Sequence, residues 1–103
     1  ALAAHMASGA ADYGIALCGS GIGISIAVNR HAACRAALVS EPLSAQLARE
    51  HNDANVIALG ARLTGSEMAR ACIETFITTA FAGDRHVRRV GKLSHPPALE
   101  TPA

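Results

Sequence analysis

Three short apolar runs divide the chain, and each is followed by turn residues and then by a longer amphipathic stretch. The runs are Gly14-Ile15-Ala16-Leu17-Cys18, Cys34 to Val39 and Asn55 to Leu59. Apolar runs of this length without strict alternation predict strands buried on both faces of a sheet. The stretches between them follow a helical period. Ala1 to Gly9 reads as the last turns of a helix stopped by Gly9. Ile24 to Arg30 forms a second, apolar helix. Ser40-Glu41-Pro42 opens a third, with Ser40 as its N-cap and Pro42 in its first turn, and that helix runs to about Glu50. His51-Asn52-Asp53 is then a polar turn leading to the third strand. Thr64 caps the next helix with Glu67 at the capping-box position, and Ser66 to Phe81 places Met68, Cys72, Ile73, Phe76 and Ile77 on one stripe. Gly83 ends that helix, and Asp84 to Leu93 forms the last one.

The alternation of helix and strand predicts an α/β domain with a parallel sheet and right-handed crossovers. We expect one domain over residues 1–93 and a Pro-containing tail over 94–103. Three strands make a thin sheet, which suggests that further strands precede these.

Composition sharpens this picture. The chain has 103 residues, 50% of them hydrophobic and only 3% aromatic, so its core is built from Ala, Val, Ile and Leu. A net charge of +1 does not suggest a nucleic-acid or membrane-surface binder. Cys18, Cys34 and Cys72 are an odd set with no paired spacing, which argues against a disulfide framework, and no Cys/His spacing reads as a metal site. Ala1 to Ala11 lacks the pattern of a signal peptide, and no run is long enough to span a bilayer. A reducing cytoplasm is the expected setting.

In open parallel sheets ligands bind beyond the carboxyl ends of the strands. Cys18 to Gly23, Ser40-Glu41 and Gly60-Ala61-Arg62 all fall there. The loop Gly19-Ser20-Gly21-Ile22-Gly23 leads into a helix N-terminus, where backbone N–H groups can converge on an anion. Its spacing is not the G-x-G-x-x-G of dinucleotide folds, so it reads as an anion cradle or as a tight turn with no ligand. Cys18, just before it, reads either as a thiolate base or nucleophile or as a small buried apolar residue. Cys34 and Cys72 read as core. His51 and Asn52 precede the third strand and so lie near the opposite edge, within reach of such a site only in a neighbouring subunit or through a loop that turns back. His51 alone reads as a functional imidazole or as a solvated residue or cap. Arg85 and Arg89, at i and i+4, present two guanidinium groups on one helix face, suited to a phosphate or simply to solvent.

Cys18-Gly19-Ser20-Gly21-Ile22-Gly23-Ile24-Ser25-Ile26-Ala27, Ser40-Glu41-Pro42, His51-Asn52-Asp53-Ala54-Asn55-Val56 and Arg85-His86-Val87-Arg88-Arg89 together resemble the ribose-5-phosphate isomerase B family, whose wider group includes galactose-6-phosphate isomerase subunits. The motifs stand in order and span nearly the whole chain to about Val90. The resemblance implies a Rossmann-like three-layer αβα domain that interconverts ribose 5-phosphate and ribulose 5-phosphate with no metal or other cofactor. It also implies a homodimer, in some members a tetramer, with active sites shared between subunits. Carried over by motif, Cys18 is the base that moves a proton between C2 and C1, and His51 is the acid that helps open the furanose ring. The amides of Gly19, Ser20, Gly21, Ile22 and Gly23 form the hole for the enediolate. Asn52 contacts the enediolate or a hydroxyl, and Arg62, Arg85 and Arg89 contact substrate and phosphate. The family begins with a strand ending in Asp-His and has a tyrosine further on. Both precede the part of the family pattern that this sequence matches, so the resemblance implies a member lacking its first two strand–helix units, as a fragment or by loss. Competing expectations are a non-catalytic phosphosugar-binding subunit, an isomerase of galactose or allose 6-phosphate, and a nucleotide-binding module.

Overall fold

The computed structural model describes residues 2–83 and 85–94, with the side chain of Arg85 outside the description. The element order is α1 (Leu2–Ser8), β1 (Gly14–Cys18), α2 (Ile22–Asn29), β2 (Ala36–Leu38), α3 (Pro42–Asn52), β3 (Val56–Gly60), α4 (Ser66–Thr78) and α5 (Arg85–Ser94). The strands form one parallel sheet in the order β1-β3-β2. The last strand in sequence is therefore central. Its register sets Gly14 beside Val56 and Cys18 beside Gly60 on one side, and Ala36 beside Val56 on the other.

All five residues of β3 are buried, as its unbroken apolar run requires. Ile57 and Leu59 point to one face and pack with Ala45, Ala48, Cys72 and Phe76 from α3 and α4. Val56 and Ala58 point to the other and pack with Met6, Ala16, Val28 and Cys34. β1 is covered on one face only: Ala16 is 6% exposed, whereas Ile15 and Leu17 are 45% and 60% exposed. No helix among the described residues is long and apolar enough to cross a membrane.

Several element ends differ from the sequence-based expectation, each for a local hydrogen-bonding reason. β2 begins at Ala36 rather than Cys34, because the Cys34 amide donates to the His31 carbonyl at 2.9 Å and the Arg35 amide to Asn55 Oδ1 at 2.7 Å. The Asn29 side chain then accepts from the Ala36 amide at 2.7 Å and donates to the Ala36 carbonyl at 2.9 Å. Glu41, not Ser40, caps α3: its carboxylate accepts the Ser44 amide at 3.0 Å and also the Ser44 hydroxyl, and these bonds hold it below the usual carboxylate range. Thr64 does not cap α4. Its amide donates to the Gly60 carbonyl at 2.9 Å in a turn, so extended Gly65 takes the cap position with no side-chain bond. α3 continues through His51 and Asn52, and Asp53 ends it in the left-handed region at φ 45. α4 stops at Thr78, short of Phe81, and of its expected stripe Cys72 and Phe76 are buried while Met68 and Ile77 stand exposed to either side. Asp84, the expected start of the last helix, and the tail from His95 lie outside the described residues.

Phe76 is fully buried, meets Tyr13 edge-on at 5.8 Å between ring centroids, and anchors the α4 side of the core. Phe76→Ala should cost about 3–5 kcal/mol, because the cavity cannot collapse around a strand packed on both faces. That cost is a large part of the stability of a small domain, and urea unfolding should show the midpoint falling with little change in slope.

Candidate active site

At the carboxyl end of the sheet the chain leaves β1 at Cys18 and turns sharply into α2. Gly21 is the residue that permits the turn. It sits at φ 81, and a Cβ there would lie 2.5 Å from Leu38 Cδ1, 2.9 Å from the Leu59 carbonyl carbon and 3.0 Å from the Gly60 amide. Gly60 faces the same contact from the other side: its Cβ would come within 2.5 Å of the Ser20 carbonyl oxygen. The loop therefore rests backbone-to-backbone on the end of β3. The Ala61 amide donates to the Cys18 carbonyl at 2.8 Å and the Arg62 amide to the Gly19 carbonyl at 2.9 Å, which tie the two strand ends together. The Arg62 side chain passes over Gly19, where a Cβ would lie 3.4 Å from its Cδ.

The loop curls its amides around the Cys18 sulfur. The Gly21 amide donates to Sγ at 3.1 Å, and the Ile22 amide donates to Ser20 Oγ at 3.2 Å. The Ile24 amide does most to hold the thiol below the usual cysteine range. Desolvation opposes it, and the Gly21, Ser20 and Gly23 amides add to it. Cys18, Gly19, Ser20, Gly23, Arg62 and Leu63 line a cavity of about 450 Å³. This end of the molecule thus presents a partly exposed, thiolate-prone sulfur, backbone donors and a guanidinium to one open space. By contrast, burial pushes the Cys34 and Cys72 thiols up. Among the described residues no group of three or more His, Cys, Asp or Glu is placed to hold a metal ion.

The other expected site residues lie elsewhere. His51 and Asn52 form the last turn of α3, just before β3 starts, whereas Cys18 stands beside the residue where β3 ends. The length of β3, on the order of 13 Å at ~3.3 Å per residue, therefore separates the two groups. His51 stacks on His86 of α5 with ring centroids 4.5 Å apart and planes 17° from parallel. Arg89, exposed, lies one turn further along α5 from His86. The structure thus brings His51 together with His86, with Asn52 next in the chain, at the opposite end of β3 from Cys18, the glycine loop and Arg62, and among the described residues it shows no contact that joins Arg89 to either group.

Residues 1–93 match the ribose/galactose isomerase family. The chain belongs to this family. It is 47% identical over 89 residues to ribose-5-phosphate isomerase B of Escherichia coli, an alignment covering 86% of this chain and 60% of that protein. It is 43% identical over 81 residues to a galactose-6-phosphate isomerase subunit of Clostridium acetobutylicum, covering 79% of this chain and 47% of that one. The fold superimposes on the crystal structure of a Thermotoga maritima ribose 5-phosphate isomerase with a TM-score of 0.87 at 48% identity, over 89% of this chain and 63% of that one. It superimposes on a Trypanosoma brucei type B enzyme with a TM-score of 0.86 at 49% identity, over 89% and 62%. The chain thus spans about 60% of the length of the Escherichia coli relative.

Two residues escaped the sequence reading. His86 was overshadowed by its arginine neighbours, although its spacing to buried Val90 marks the inward face of α5. Arg49 carried no signal at all: in a polar helix turn it resembles a solvated cation, yet it is 5% exposed.

The lowered Cys18 pKa has a definite sign. The folded chain holds more thiolate than a free cysteine at any pH between the folded and unfolded values. The associated stabilisation is present above the unfolded pKa and is lost as pH falls through the folded one. Alkylation by iodoacetamide, followed by mass spectrometry, should modify Cys18 at least about tenfold faster than Cys34 or Cys72 at neutral pH, with a midpoint below that of a free thiol. A Cys18 rate tracking the free-thiol curve would contradict the amide assignment.

Proposed function

We propose that the protein to which this chain belongs is a sugar-phosphate aldose–ketose isomerase that interconverts ribose 5-phosphate and ribulose 5-phosphate. The observation that carries this reading is the Cys18 sulfur among loop amides at the mouth of the Arg62-lined cavity. The names of the relatives support the substrate class.

In this reading the Cys18 thiolate removes the proton from C2 of the open-chain aldose. The C2–H electron pair forms the C1=C2 bond, and the carbonyl π pair moves onto O1. Donors preorganised around that oxygen meet the charge as it develops, which lowers the barrier. The Gly21 amide donates to Cys18 Sγ and the Ile22 amide to Ser20 Oγ in this structure, and the Ser20, Gly23 and Ile24 amides also face the sulfur, so the loop turns its donors toward the place where base and oxyanion meet. The thiol then returns its proton to C1 while the proton of the C2 hydroxyl is transferred to O1, which leaves the ketone at C2. Arg62 holds an anionic or hydroxyl group of the substrate beside the loop. His51 acts as the acid for ring opening, Asn52 as a hydroxyl contact, and Arg85 with Arg89 as the phosphate clamp.

His51 and Asn52 stand at the far end of β3 from Cys18, so one copy does not present both ends to one pentose. We therefore assign the site to a homodimer in which Cys18 of one copy faces His51 and the α5 arginines of the other. Ile15 and Leu17, exposed along β1, offer an apolar surface beside Cys18 for further chain or a second copy to cover. The free thiols Cys18, Cys34 and Cys72 suit a reducing compartment, and we place the protein in the cytoplasm.

Two experiments test this. Cys18→Ala should abolish conversion of ribose 5-phosphate while substrate still binds; undiminished turnover would remove Cys18 from the mechanism. Mixing Cys18→Ala protein with His51→Ala protein, each strongly impaired alone, should restore about a quarter of wild-type activity, because a mixed dimer keeps one intact site of two and half of the dimers are mixed. Absence of any recovery after demonstrated subunit exchange would place both residues in the same subunit's site.

A further inference from the structure

Arg49 lies two residues before His51 on α3 and is one of the few charged side chains buried in this domain, at 5% exposed. Its guanidinium is held through Nη1 and Nε. Nη1 donates to Asp53 Oδ1 at 2.8 Å and to the Ala54 carbonyl at 2.7 Å, and Nε donates to the Thr79 carbonyl at 3.0 Å. Its Cζ lies 5.0 Å from the centroid of the Tyr13 ring and 5.9 Å from that of Phe76. One cation therefore links the end of α3, the C-cap of α4 and the residue before β1. A buried cation is costly unless it is fully paired, so such a network tolerates little displacement of its members.

The segment this network encloses is the one that carries His51 and Asn52. Arg49 grips Asp53 and Ala54, immediately after Asn52. Asp53 is held in the left-handed region at φ 45, where a non-glycine residue needs such support. Arg35 secures Asp53 from the other side, with Nε donating to its carbonyl at 2.9 Å and Nη2 lying 3.5 Å from Oδ2. The Ala82 amide donates to the Glu50 carbonyl at 3.0 Å, and His86 stacks on the His51 ring. The backbone on both sides of His51-Asn52 is thus fixed by contacts of Glu50, Asp53 and Ala54, and the His51 ring is further held by the stacked His86.

We propose that Arg49 is a positioning residue for the isomerase reaction: through Asp53 and Ala54 it sets where His51 and Asn52 stand and how they meet a substrate held at the Cys18 loop of a second copy. This inference rests on the reading of His51 as a substrate-facing group. Arg49 itself touches no substrate. A displacement on the order of 1 Å in a positioned catalytic group reduces turnover by up to about a hundredfold.

The test uses the protein carrying the N-terminal region found in its relatives, with ribose 5-phosphate as substrate. Arg49→Met keeps much of the side-chain volume and removes the charged fork. Well below its melting temperature it should lose about ten- to a hundredfold in kcat/KM, while Cys18 alkylation keeps its wild-type rate. On the residual turnover of His51→Ala it should cause a clearly smaller fold loss than on the wild type, because part of what it positions is already removed. Where Arg49→Met does not fold, Arg49→Lys carries the same test, since an ammonium cannot reach Asp53, Ala54 and Thr79 together. A folded Arg49 variant with wild-type kcat/KM, or one whose loss simply adds to that of His51→Ala, overturns the proposal while leaving His51 in its role. Full activity of His51→Ala would instead overturn the reading on which the proposal rests.

Discussion

The site depends on a contact between two pieces of backbone that have no side chains between them. Gly60 ends the central strand and Gly21 caps α2; a methyl group at Gly21 would enter the main chain at Leu59-Gly60, and one at Gly60 would enter the main chain of Ser20. That approach bends the chain back over the Cys18 sulfur and turns several amides inward at once. At this point of the sheet the strand end, the loop and the helix N-terminus converge, and the amides of the loop and of the first turn of α2 lower the Cys18 pKa.

Because β3 is buried on both faces and paired on both edges, it acts as a rigid spacer as well as a core. It holds Cys18 at one end of the molecule and His51 at the other. The two ends are built differently. The Cys18 end relies on backbone donors and the absence of side chains. The His51 end relies on side chains: the Arg49 fork, the Asp53 carboxylate and the stacked imidazoles of His51 and His86. The first can shape itself around a developing charge. The second fixes the direction of a ring and a helix end.

The apolar surface follows the same plan. α3 and α4 lie over β3 and β2, leaving Ile15 and Leu17 of β1 uncovered on that face. Exposed apolar side chains in a row on an edge strand mark a place where more protein packs. This edge adjoins Cys18, so whatever covers it also shapes the mouth of the cavity.

Much of this was legible in the residues themselves. The apolar runs located the three described strands, although only β3 is buried on both faces, and the glycine pattern located the turn at Cys18. Helix ends were less legible: whether Ser40 or Glu41 caps α3, or whether α3 stops before or after His51, depends on which hydrogen bond forms in three dimensions. The sequence order β1, β2, β3 also could not reveal that β3 lies between the other two. Tertiary structure alone decided that Cys18 Sγ takes up a loop amide, that His86 stacks on His51, and that Arg49 is buried. Each of these joins residues distant in the chain or directs a side chain inward, and local composition carries no signal for either. What the sequence determined by itself was the identity and order of the chemical groups; what only the fold decided was their division between the two ends of a buried strand, because a parallel sheet separates the residues before a strand from those after it by the length of that strand.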